Sequence, residues 1–103
     1  MLILRGVNLF PTAVREVVAG FAPEVSGVVA IRPRRRGVKQ APPLPVVVEL
    51  ADGRSPSPAL ADAIRGRLRE RLVVTTEIEL APWASLPRSD YKSRLVDWSA
   101  AAL

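Results

Sequence analysis

Neither cysteine nor histidine occurs among the 103 residues. Without cysteine there is no disulfide, no thiol nucleophile and no thiolate-held metal. Without histidine there is no Ser-His-Asp triad, no imidazole-bound zinc and no side chain that titrates near neutrality unperturbed. A self-contained hydrolase of the usual kind is therefore not expected, and neither is a metal site. Aromatic residues are scarce: two Trp, two Phe and one Tyr. No apolar run approaches the ~20 residues that span a bilayer. The apolar start, Met1-Leu2-Ile3-Leu4, is cut at Arg5-Gly6, too soon for a secretory signal. These absences give the expectation of a cytoplasmic protein that does not enter a membrane.

What is present is enough for one small domain, residues 1–103. Apolar residues make up 49% of the chain, well above the range of disordered sequences. Leu2-Ile3-Leu4 reads as a short strand, and Gly6-Val7-Asn8-Leu9-Phe10 as a connection. Pro11 suits a first helical turn, and Val14, Val17, Val18 and Phe21 then share one helix face. Pro23 stops that helix. Val28-Val29-Ala30-Ile31 reads as a second strand. The prolines of Ala41-Pro42-Pro43-Leu44-Pro45 mark loop. Val46-Val47-Val48-Glu49-Leu50 is a third strand, rich in β-branched residues. Ser57-Pro58 reads as N-cap and first helical position. Leu60, Ile64, Leu68 and Leu72 follow at intervals of four, with Arg65, Arg67, Arg69 and Arg71 on the opposite face. Glu77-Ile78-Glu79-Leu80 has the alternation of a half-buried strand, and Pro82-Trp83 begins a tail. Within that tail Leu95, Val96 and Trp98 are expected to pack a short helix or strand back on the body.

The order β-α-β-β-α-β points to an α+β, ferredoxin-like βαββαβ sandwich. The expectation is a four-stranded antiparallel sheet with two helices on one face and a C-terminal tail that carries a motif.

Fifteen basic residues outweigh ten acidic ones, for a formal charge of +5. Arg32, Arg34, Arg35, Arg36 and Lys39 fall within eight residues. Such a cluster is either a solvated loop or a contact for a polyphosphate. No aromatic residue interleaves with it, so bases would find no stacking platform there.

Two segments differ from ordinary scaffold. Arg5-Gly6-Val7-Asn8-Leu9-Phe10-Pro11 puts a glycine between a strand and a helix, where the backbone can approach a ligand closely or take a positive φ. It lacks the glycine spacing and the lysine of a phosphate-binding loop. Leu86-Pro87-Arg88-Ser89-Asp90-Tyr91-Lys92-Ser93-Arg94 sets Arg88 and Lys92 four apart in a polar stretch. Lysine is a compact cation suited to carboxylate and phosphate oxygens.

Taken together and in this order, the two segments resemble the C-terminal domain of adenylate-forming enzymes, the acyl-CoA synthetases, and most nearly the phenylacetate–coenzyme A ligase branch. The resemblance runs over essentially the whole chain, including Leu72-Val73-Val74-Thr75-Thr76-Glu77-Ile78-Glu79-Leu80. It implies a two-step ligase. A carboxylic acid attacks the α-phosphate of ATP, giving acyl-adenylate and pyrophosphate; the thiol of coenzyme A then displaces AMP. The resemblance implies that Lys92 is the adenylation lysine, and that Gly6, Val7 and Asn8 line the passage for the coenzyme A thiol. Arg88 would lie on the nucleotide or coenzyme A side. Arg34, Arg35 and Arg36 would meet the phosphates of coenzyme A. ATP, accompanied by Mg2+, and the acid would sit on an N-terminal adenylation domain, the implied partner, which this sequence does not contain. The 103-residue chain is therefore expected to be a C-terminal domain that makes no thioester by itself.

The chain departs from the family pattern in three places. Tyr91 stands where glycine usually precedes the lysine, Leu95 stands at a position commonly basic, and the loop between the second and third strands is longer and more basic. Two other function classes stay open on the residues alone. One is a stand-alone ferredoxin-like module that binds a small molecule or oligomerises; it would have no need of the Lys92 motif. The other is a small basic RNA-binding domain, which would want aromatic residues on its strands, where this chain has none.

Overall fold

The computed structural model describes residues 2–86 and 95–98. Its elements run β1 (Leu2–Leu4), β2 (Val7–Leu9), α1 (Pro11–Ala19), β3 (Val25–Ile31), β4 (Lys39–Gln40), β5 (Leu44–Leu50), α2 (Pro58–Leu72) and β6 (Thr76–Ala81). Both expected helices form where the sequence places them. α1 starts on Pro11 with no side-chain cap, and α2 starts on Pro58 with the Ser57 hydroxyl accepting the Leu60 amide. The proline rings pre-set the helical φ where no N–H partner is needed.

The strands form two mixed three-stranded sheets, ordered β2-β1-β4 and β3-β5-β6. In the larger sheet β3 pairs antiparallel with β5, and β5 pairs parallel with β6 through the α2 crossover. Alternation along the strands separates its two faces. Val29, Ile31, Val46 and Val48 share one core with Val14 and Val18 of α1 and Ile64 and Leu68 of α2. Both helices thus cover one face, as expected. Ala30, Val47, Ala81 and Leu86 form a second, smaller cluster on the other face. Ile64 and Leu68 are fully buried, and each contributes about 1.5–3 kcal/mol by leaving water.

The expected single four-stranded antiparallel sheet is not what the described residues build. Arg5 and Gly6 both take positive φ, 48° and 80°, the conformation of a tight primed hairpin turn. That turn folds the chain straight back, so Val7–Leu9, read above as a connection, pairs with Leu2–Leu4 instead. The first strand is spent in this hairpin, and its free edge takes Lys39–Gln40 in parallel. The place beside β3 goes to the tail: Ile31 bridges Val96 in parallel, with the Ile31 amide donating to Leu95 O at 2.6 Å and the Asp97 amide to Ile31 O at 2.7 Å. The expected packing of Leu95, Val96 and Trp98 on the body takes this form: Leu95 is buried, and Trp98 packs against the main core. No helix among the described residues is long and apolar enough to cross a membrane.

Candidate functional site

Gly6 sits at the tip of the β1–β2 hairpin and is exposed. A Cβ placed there would meet nothing within 4 Å, so its φ of +80°, not crowding, is what favours glycine. Val7 and Asn8 follow on β2. Asn8 pairs with Ile3, and Ile3 with Lys39 of β4. Neighbours across a ladder share a face, so Asn8, Ile3 and Lys39 form one row, with Asn8 and Lys39 exposed. The opposite face, Leu2, Leu4 and Leu9, enters the core.

The basic loop is therefore part of the same small sheet as the glycine hairpin, a juxtaposition the sequence did not reveal. The Ile3 amide donates to Val38 O at 2.7 Å, and the loop runs into β4 from the Leu2 end, opposite the Gly6 turn. Gln40, buried, holds it in shape by donating to Arg35 O at 2.7 Å and Gly37 O at 2.9 Å. The three arginines are not equivalent. Arg34 is committed, ion-paired to Glu77 and donating to Pro43 O at 3.2 Å. Arg35 and Arg36 are exposed, with no ion pair among the described residues. Arg32 pairs with Asp97 at 3.3 Å, which ties the tail to the end of β3.

On the far side of the larger sheet lies a buried carboxylate that sequence reasoning missed. Glu49 of β5 is fully enclosed. Its Oε2 accepts the Ser26 hydroxyl at 2.6 Å, and its Oε1 accepts the Leu86 amide at 3.3 Å. Ser26 Oγ in turn accepts the Val28 amide at 3.1 Å. Its sequence signal was a lone acid within the apolar run of the third strand. Lys92, Arg88 and Tyr91 lie outside the described residues. Among the described residues no group of three or more His, Cys, Asp or Glu is placed to hold a metal ion.

No curated protein matches the sequence. Among solved structures the chain is similar to a domain of phenylacetate-coenzyme A ligase from Bacteroides vulgatus ATCC 8482. Identity is 25%, the match covers 99% of this chain and 93% of that one, and the TM-score is 0.76. It is similar in fold to 2-hydroxyisobutyryl-CoA ligase in the postadenylation state with R3-HIB-AMP, at 23% identity and a TM-score of 0.80 over 95% of this chain and 21% of that one. The same ligase in the thioesterification state, with 2-HIB-AMP and CoA, matches at 20% identity and a TM-score of 0.70, over 93% of this chain and 21% of that one. The chain thus spans about a fifth of the length of that ligase. In sequence, the AMP-binding enzyme C-terminal domain family matches residues 6–98. That match takes in both helices, every strand from β2 onward and the tail as far as Trp98, and the chain belongs to the AMP-binding enzyme C-terminal domain family.

Proposed function

We propose that the chain works as the C-terminal domain of an AMP-forming aryl- or acyl-CoA ligase similar to phenylacetate–coenzyme A ligase. The observation that carries this reading is the family match over residues 6–98, joined to a structural match that takes in nearly all of this chain and of a phenylacetate-coenzyme A ligase domain. Its partner is an N-terminal adenylation domain holding the acid, ATP and the accompanying Mg2+; with these substrates it works in the cytoplasm. The helix-covered layer is taken as a ferredoxin-like sandwich whose first strand has moved to the small sheet.

In the first half-reaction a carboxylate oxygen of the acid attacks the α-phosphorus and pyrophosphate leaves. Negative charge gathers on the transferring phosphoryl oxygens. The Lys92 ammonium supplies a compact counter-charge and lowers that barrier. In the second, the thiol of coenzyme A attacks the acyl carbon and AMP leaves. The Gly6 hairpin lines the thiol's path, where a bare backbone leaves room. Arg35 and Arg36, on the loop that joins the hairpin's sheet, meet coenzyme A phosphates; Arg88 belongs to the nucleotide or coenzyme A side.

The experiment separates the half-reactions in the intact ligase. Lys92→Ala lowers acid-dependent ATP–pyrophosphate exchange by about 10²–10³-fold, the scale of losing one charge-stabilising donor. Transfer of a supplied acyl-adenylate to coenzyme A stays within about threefold. The isolated 103-residue chain gives no exchange. Undiminished exchange in Lys92→Ala, or clear exchange from the isolated chain, overturns the reading; a free-standing binding module would then be the better account.

A further inference from the structure

Glu49 is the fully buried carboxylate of the described residues. Packing alone would favour an apolar side chain there, because enclosing a carboxylate is costly unless its oxygens are engaged. Among the described residues, Ser26 and Leu86, from different parts of the chain, both engage them, and each arrangement is specific. Ser26 lies in a bulge, where the β3–β5 register shifts between Val25 and Val29 and Gly27 holds φ at +96°. A bulge re-aims a side chain that regular pleating would direct elsewhere. Here the Ser26 hydroxyl, itself accepting the Val28 amide, is turned onto Glu49 Oε2. The other oxygen receives a main-chain amide, that of Leu86. After β6 the chain turns at Pro82 to Ser85, with the Ser85 amide donating to Pro82 O and Ala84 at φ 62°. It returns so that Leu86 packs with Ala30, Val47 and Ala81 beneath the sheet.

The residue after Leu86 opens the stretch 87–94, which contains Lys92. Its far end meets Leu95, whose carbonyl accepts the Ile31 amide. Both flanks are thus fixed to the larger sheet, one at its edge strand and one through Glu49. Apolar packing of Leu86 would permit the backbone to rotate or slip. A hydrogen bond from its amide to a carboxylate that is itself oriented fixes the main chain at Leu86.

We propose that Glu49, oriented by Ser26, is a positioning residue for adenylation: it fixes the chain at Leu86 and thereby sets where Lys92 reaches. The inference rests on the reading of Lys92 given above.

The test uses the intact ligase with Glu49→Leu, Glu49→Gln, Ser26→Ala and Lys92→Ala, each assayed in both half-reactions. Leucine fills the space and removes both acceptors. Glutamine keeps an acceptor for the Leu86 amide. Glu49→Leu lowers kcat for ATP–pyrophosphate exchange by about 10–100-fold, the scale of misplacing a reacting group by about 1 Å. Coenzyme A transfer from supplied acyl-adenylate stays within about twofold. Ser26→Ala gives a smaller loss in the same half-reaction, and Glu49→Gln recovers most of the exchange. Equal losses in both half-reactions, or none in either, overturn the proposal. Should Glu49→Leu fail to fold, Ser26→Ala decides by the same criterion. Lys92→Ala tells the two readings apart. If it abolishes exchange while the Glu49 and Ser26 variants leave exchange intact, only the positioning proposal falls. If it leaves exchange intact, the role of Lys92 falls and the positioning proposal with it.

Discussion

Val73 ends α2 in the left-handed region, at φ 55° and ψ 41°, with its amide donating to Arg69 O at 3.0 Å. A β-branched side chain is poorly suited to that conformation, which glycine adopts freely. Nothing compensates through burial, since Val73 is 63% exposed. Val73→Gly therefore stabilises the fold by about 1 kcal/mol, the left-handed penalty less the extra backbone entropy of glycine. For a domain of this size that is a rise of about 4–8 °C in Tm. Thermal unfolding followed by circular dichroism measures it, and an unchanged or lower Tm would show that the helix end is not strained. Thr76, the first residue of β6, is a different kind of exception. Its Oγ1 is buried without a hydrogen-bond partner among the described residues, which costs about 1–3 kcal/mol.

At the scale of elements, the helices were legible because period and punctuation agreed. Ser57-Pro58 and the fourfold spacing from Leu60 to Leu72 all mark one helix, and Ile64 and Leu68 are its buried residues. The arginines opposite are exposed, and Arg67 lies over the Phe21 ring at 5.4 Å, so the solvated face also clamps α2 to the chain leaving α1. The small sheet was not legible. Strands of three and two residues are too short for alternation to register, and the charges around Lys39 read as loop. Glu49 was hidden for another reason. Val47 and Glu49 face away from the helices, which in a two-layer fold means solvent; the lone acid in the apolar run of β5 was the one local sign, and the return of the chain to Leu86, which helps bury that face, lies far off in sequence. The motif of Arg88, Tyr91 and Lys92, outside the described residues, was legible from the sequence alone. The small sheet also sharpens the expectation for the basic loop. Arg34 is held by Glu77 and Pro43, so reversing its charge would disturb the loop itself. Reversing only the exposed pair, Arg35→Glu with Arg36→Glu, avoids this. In the intact ligase that variant raises KM for coenzyme A about tenfold, equivalent to about 1.4 kcal/mol. The effect shrinks as salt rises, as it must for exposed charges. Steady-state kinetics at two ionic strengths provides the measurement, and an unmoved KM would remove coenzyme A from this loop.

On the scale of the whole molecule, the tail completes the body. β3 would be an open edge of the larger sheet, flanked on its other side by β5 alone. Open edges expose unpaired amides and carbonyls and invite pairing with other chains. Residues 95–97 cover part of that edge with two main-chain hydrogen bonds through Ile31, and the Arg32–Asp97 pair closes over them at 3.3 Å. The two contributions differ in size. Both partners of the ion pair are 36% exposed, so the pair itself contributes less than about 1 kcal/mol. Leu95 is buried in the main core, with Trp98 against it. A chain ending at residue 94 loses that burial and the two edge bonds, and is less stable by about 2–4 kcal/mol. It also self-associates more strongly than the full chain. Urea unfolding gives the first number, and sedimentation velocity over a range of concentrations gives the second. A truncated chain with an unchanged unfolding midpoint would mean that the tail only rests on the sheet. A lowered midpoint together with concentration-dependent sedimentation would mean that the strand cap after residue 94 is what keeps this edge private to the molecule. Leu86 and Leu95, on either side of Lys92 in the sequence, are then both attachments to the larger sheet, and loosening either one lowers adenylation in the intact ligase.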